Sequence, residues 1–176
     1  MENPTYYAEL IKGGAKSWNR WRAQNSSEKP CLAGIDLAAA KLDGAQLDDL
    51  DLRDANLENI SLVGANLKGA DLSRANLRNA NLFKAILMDA NLEGAVLTEA
   101  DLSEAHAARV RMSRADLKSA MLLGIDLIEA DLENANLQGA NLEEANLVQA
   151  KLAGVNFEGS ALLLVRIDAE GFFMLA

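Results

Sequence analysis

Ala55-Asn56-Leu57-Glu58-Asn59, Ala65-Asn66-Leu67-Lys68-Gly69, Ala75-Asn76-Leu77-Arg78-Asn79 and Ala145-Asn146-Leu147-Val148-Gln149 share one five-residue form. That form runs from Pro30 to Ala169 in twenty-eight consecutive units without insertion or deletion. The third residue of each unit, its centre, is Leu at every unit from Leu32 onward except at Ala107, Met112, Phe157 and Ile167. Ala stands two places before the centre in nineteen units, and Asn or Asp stands between the two in sixteen. A period of five suits neither ordinary element. In a strand it throws successive centres to opposite faces, and in an α-helix each step of five advances about 140° round the axis. The Asn, Asp and Gly content also opposes a helix. The chain must change direction once per unit and stack on its own earlier turns, as solenoids do.

Repeated Ala-(Asn/Asp)-Leu-x-x units of this kind resemble the pentapeptide repeat family. The resemblance implies an all-β solenoid, a right-handed β-helix of square cross-section with four units per coil. In it the centre and the residue two places earlier point inward and the other three outward. Twenty-eight units would make seven coils, a body about 34 Å long at roughly 4.8 Å per coil. The chain then divides into an N-terminal helical cap and connector (1–29), the β-helix (30–169) and a C-terminal tail (170–176).

Ahead of the repeats, Asn3-Pro4 has the form of a helix start, and Tyr7, Leu10, Ile11, Ala15, Trp18 and Trp21 recur at helical spacing. An amphipathic helix is expected from Pro4 to Ala23, bent or split at Gly13 and Gly14. The first coil exposes unpaired backbone and an open end of the leucine column, so Tyr7, Leu10, Ile11, Trp18 and Trp21 are assigned to a cap across it. The alternative is a docking surface built from Tyr7, Trp18 and Trp21. Pro30 takes the first inward position, where its missing N–H has no coil below to meet. Cys31 reads as a buried or half-buried small residue.

Nine of the twelve glycines close a unit, where a corner needs φ values that glycine adopts without strain. The Asn and Asp residues before the centres are read as braces for those corners, because short polar side chains bond locally to backbone. Ala107 removes volume from the leucine column. Ile125, one coil further on and over Ala105, is placed to fill it, with a local widening or bulge expected. The tail (Gly171-Phe172-Phe173-Met174-Leu175) either continues the centre column through Phe172 and folds over the last coil, or meets a second molecule. Some family members associate through their C-terminal ends, so a monomer and an end-to-end dimer both stand.

A formal charge of -9 argues against nucleic acid or an anionic membrane as partner. One cysteine excludes an intrachain disulfide. The Met-Glu-Asn-Pro start lacks the form of a signal peptide and no apolar run spans a bilayer, so a cytoplasmic protein is expected. No phosphate loop, metal-ligand spacing or nucleophile–base pair stands in the sequence. No catalytic, cofactor or metal residue is therefore assigned, and His106, the one histidine, is read as a surface residue.

Function is sought on the four walls, numbered from the units centred on Leu32, Leu37, Leu42 and Leu47. Between Pro30 and Ala169 they carry formal charges of -1, -3, -3 and -3, so charge singles out none. Outward apolar residues are more selective. The third wall carries Val63, Phe83, Met121 and Leu123, and the fourth carries Ile86, Met88, Ile128 and Val148. They are the candidate surface for a protein partner. The resemblance gives a second reading, since some members imitate duplex DNA and inhibit DNA gyrase. A Trp-x-x-Trp-Arg helix before the repeats also resembles many uncharacterised bacterial, particularly cyanobacterial, members.

Overall fold

The structure is a computed structural model that describes residues 4–167 and 172–173. Its body is a ladder of single-residue parallel bridges, each joining a residue to the one twenty places on, from Cys31↔Asp51 to Asn146↔Arg166. One coil is therefore four units. The bridging residue is always the one before the centre.

The unit around Leu77 shows why the chain settles there. The Ala75 N–H closes a turn onto the Leu72 carbonyl at 3.0 Å. Asn76 donates its N–H down to Ala55 at 2.9 Å, whereas Leu77 and Asn79 donate up to Val96 and Thr98 at 2.7 and 3.0 Å. The remaining N–H, on Arg78, faces no neighbouring carbonyl and donates to the Asn76 side chain at 3.2 Å. All five donors are paired, as buried backbone requires. Each of the sixteen Asn and Asp residues before a centre makes that same bond to the residue two places on.

The last residue of every described unit takes a positive φ, between 54° and 73°. Positive φ at the third residue of a hydrogen-bonded turn defines type II. Nine of these residues are Gly, but eighteen are not, Asn59, Arg74 and Glu99 among them. Each non-glycine residue in this region costs roughly 1 kcal/mol, which the ladder above and below must offset.

Inside, the centres from Leu52 to Leu147 expose no more than 1 % of their surface. Alternating Leu with Ala fills the square section with large and small side chains in turn. The unit with Ala107 keeps this register. Ile86↔His106 and His106↔Asp126 bridge normally, and the Ala107 N–H reaches Asp126 O at 2.8 Å. The expected widening is absent, because coils fixed on both sides leave the backbone no freedom to move. Val110 and Ile125, both fully buried where Ala is usual, add volume nearby.

Two further expectations are corrected. Cys31 is exposed, since the position before a centre faces outward, and its thiol donates to Asp51 Oδ2 at 3.2 Å. Phe172 does not extend the centre column. The backbone reverses, and β1 (Val165–Arg166) pairs antiparallel with β2 (Phe172–Phe173). Whether the tail covers the last coil lies outside the described residues. At the other end the single helix is two, α1 (Pro4–Lys12) and α2 (Ala15–Gln24), parted where Gly14 takes φ 92°.

Residues stacked on one corner form ion pairs between coils: Arg74 with Asp54 and Arg109 with Asp89, both at 2.7 Å, and Lys84 with Glu104 at 3.1 Å. Hydrogen bonds from Arg74 and Arg109 lower the pKa of Asp54 and Asp89. On the first wall Arg53 holds Asp51 at 2.7 Å and, with help from the Cys31 thiol, lowers its pKa to about 2. These pairs are exposed and contribute little to stability.

Two outcomes are expected from this architecture. Leu77→Ala should cost about 3 kcal/mol in urea unfolding, as for other buried leucines that leave a cavity; a loss below about 1 kcal/mol would deny the column its role. In an NMR titration Asp51 should titrate near 2, and Arg53→Ala should move it up toward the ordinary 3.8. Because the folded value is the depressed one, this pair's contribution is present above pH 3.8 and fades as pH falls toward 2.

Candidate functional surfaces

At the N-terminal end α1 and α2 bury Tyr7, Ile11 and Trp18, with Leu10 and Trp21 half-buried against the core. Tyr7 and Trp21 meet edge to face at 5.3 Å between ring centroids, and Trp18 lies 5.4 Å from Trp21. Burial removes Tyr7 and Trp18 from any docking surface; Tyr6, not singled out from sequence, is exposed.

The polar edge of α2 meets the fourth wall of the first coil. Trp18 Nε1 donates to the Gln46 carbonyl at 2.7 Å, and Asn19 Oδ1 accepts the Gln46 N–H at 2.8 Å. Asn19 Nδ2 donates to Gly44 O at 2.9 Å, while Arg22 donates to both the carbonyl and the carboxylate of Asp48 at 3.2 Å. One coil higher, the equivalent groups of Asn66 bond to Ala45 O below and Leu47 N–H below. Side chains of α2 thus pair with the Gln46 N–H and carbonyl, whose equivalents in Asn66 bond to the coil below. Asn19 and Arg22 were not legible as partners, since nothing in their spacing says which carbonyls they meet.

On the third wall, Met121 and Leu123 flank the buried Leu122 and are 49 % and 40 % exposed. Phe83 lies two coils from Leu123, and Val63 three. On the fourth wall Ile86 and Met88 flank Leu87, Ile128 lies two coils beyond Met88, and Val148 three, with Ala108 between the first two. These six are half-buried. The eight candidate residues expected from sequence to form a continuous apolar surface therefore narrow to one exposed pair, because coils about 4.8 Å apart let outward side chains cover their neighbours. Leu163 and Leu164 near the far end are also exposed.

Charge around the pair is one-sided. Asp101, Asp126, Glu143 and Glu144 surround it, and no Lys or Arg occurs from Ser119 to Ala150. Among the described residues no group of His, Cys, Asp and Glu is arranged to hold a metal ion, and no helix is long and apolar enough to cross a membrane.

Comparison with known proteins places this geometry. No curated protein matches the chain. Among solved structures, full-length QnrB1, described as a plasmid-mediated fluoroquinolone resistance protein, superposes with a TM-score of 0.52 at 18 % identity, over 72 % of this chain and 70 % of that one. Rfr23, a pentapeptide repeat protein from the cyanobacterium Cyanothece, is 26 % identical over 91 % of this chain and all of its own, with a TM-score of 0.30. HetL, from the cyanobacterium Nostoc, is 26 % identical over 78 % of each chain, with a TM-score of 0.26. The family profile for pentapeptide repeats matches in overlapping windows that run from residue 31 to residue 162. The chain therefore belongs to the pentapeptide repeat family, and its body is a right-handed β-helical solenoid.

Proposed function

We propose that the protein is a non-enzymatic, cytoplasmic scaffold that binds another protein through its outer walls. The observation that carries this reading is the exposure of Met121 and Leu123 side by side on the third wall, which also exposes Leu163 and Leu164 two coils further on. Contiguous exposed apolar side chains are unusual on a monomer and often mark an interface. The leucine-filled interior leaves function to the surface. A solenoid of this kind presents long flat walls, and partners are recognised by their outward chemistry.

The likeness in fold to QnrB1 supports a second reading, a DNA-shaped inhibitor or protector of DNA gyrase or topoisomerase. Magnitude opposes it. A duplex of about 34 Å carries roughly twenty phosphate charges at one per 1.7 Å, whereas residues 30–169 sum to a formal -10 spread over four walls. Several of those acids, Asp54 and Asp89 among them, are already paired with arginine.

Within the scaffold reading, α1 and α2 act as the cap of the first coil through Tyr7, Leu10, Ile11, Trp18 and Trp21. At the far end Leu152, Phe157 and Leu162 are only partly buried, which an end-to-end dimer would cover.

Three measurements test these statements. Met121→Lys with Leu123→Lys should abolish capture of the partner from the source cell while leaving the thermal transition unchanged; undiminished capture would overturn the wall as interface. Wild-type protein should leave gyrase supercoiling unaffected, and inhibition would favour the second reading. Trp18→Ala should speed hydrogen exchange at the Gln46 amide far more than at Leu97; equal acceleration of both would remove the capping role.

A further inference from the structure

Met121 and Leu123 define more than an apolar spot, because the residues above and below them give it shape and sign. Along the third wall the position after the centre reads Phe83, Ser103, Leu123, Glu143 in successive coils. Ser103 is buried, so the column dips between Phe83 and Leu123, which stand two coils or about 10 Å apart. Met121 lies beside the upper rim of this dip.

The surrounding charge selects what can settle there. Glu143 and Glu144 have no ion-pair partner among the described residues, whereas Glu104 is tied to Lys84. Asp101 and Asp126 accept only their local backbone bonds, from Ser103 and Ile128. A second copy of this wall would bring the same acids against their like, and nucleic acid or anionic lipid would meet a negative rim. A partner with apolar residues edged by Lys or Arg meets complementary charge at Asp101, Asp126, Glu143 and Glu144.

The spacing then selects an element. An α-helix lying along the solenoid axis returns its face every 5.4 Å, close to the 4.8 Å between coils. Residues at i, i+3 or i+4, and i+7 of such a helix would fall in step with Phe83, Ser103 and Leu123. Lys84, whose Nζ stands 4.9 Å from the Phe83 ring, is paired with Glu104, which leaves that end of the dip without net charge. Glu143 and Glu144 mark the other with negative charge. The helix dipole is accommodated best with its N-terminus toward the unpaired Glu143 and Glu144.

We infer that the third wall between Phe83 and Glu143 receives a basic amphipathic helix of another protein, an assignment that rests on the scaffold reading above. The probe is a short synthetic helix of Leu and Lys in amphipathic order, compared with its Leu and Glu counterpart by fluorescence anisotropy at near-physiological salt. The Lys peptide should bind at least tenfold more tightly than the Glu peptide. Met121→Ser with Leu123→Ser should weaken it at least tenfold, and Glu143→Gln with Glu144→Gln about threefold or more. Equal binding of both peptides, lost in the serine variant, overturns the basic helix as partner while leaving the wall an interface. Binding of the Lys peptide that survives the serine variant is attraction to net charge alone and overturns the site itself.

Discussion

A backbone that turns a corner every fifth residue must find a partner for five N–H groups in each unit, and four of them find carbonyls. One donor closes the corner, one reaches the coil below and two reach the coil above. The fifth, on the residue after the centre, faces out. The Asn or Asp two places earlier answers it, so that a side chain completes what the ladder leaves open. Each five-residue unit thus satisfies its own backbone donors while returning a leucine to the axis. The left-handed corners, the leucine column and the straight walls all depend on that pairing, since none would persist with unpaired donors at every turn.

This accounting explains how much could be read without coordinates. The solenoid and its leucine core follow from the period, since neither a strand nor an α-helix gathers every fifth residue into one buried stripe, whereas the twenty-residue coil and the inward role of Ala were implied by the family resemblance. The bracing role of Asn and Asp was legible from side-chain length, though not the identity of the bond. What failed depends on distances between coils. Met88, Ile128 and Val148 are outward by position, yet neighbours on adjacent coils half-cover them, and alternation along one strand says nothing about that. Ala107 suggested a bulge because the sequence shows the missing volume but not the rigidity of the ladder on either side. The pairing of Trp18 and Asn19 with Gln46 needed the end of the solenoid to exist before its unmet groups could be known.

The same rule bears on where a wall becomes specialised. Sixteen of twenty-eight units carry the bracing Asn or Asp, which leaves 28 less 16, or twelve, without it. Four of those are on the first two walls, at Cys31, Arg111, Lys151 and Val96, and eight are on the third and fourth. One is repaired from a neighbour: at Ser61 the outward N–H of Val63 is taken by Asp43 from the coil below at 3.0 Å. Ile86 and Met121 offer no acceptor of their own. Giving up a brace costs roughly 1 kcal/mol where the bond is otherwise made, a cost that shape alone does not require, since sixteen units show the alternative. At Met121 the lost brace coincides with an exposed apolar side chain, and the units around it supply Asp101, Asp126, Glu143 and Glu144. The body repeats wherever stability alone chooses the residue, and under the scaffold reading proposed above a unit that forgoes the brace and gains exposure is the one a partner would complete.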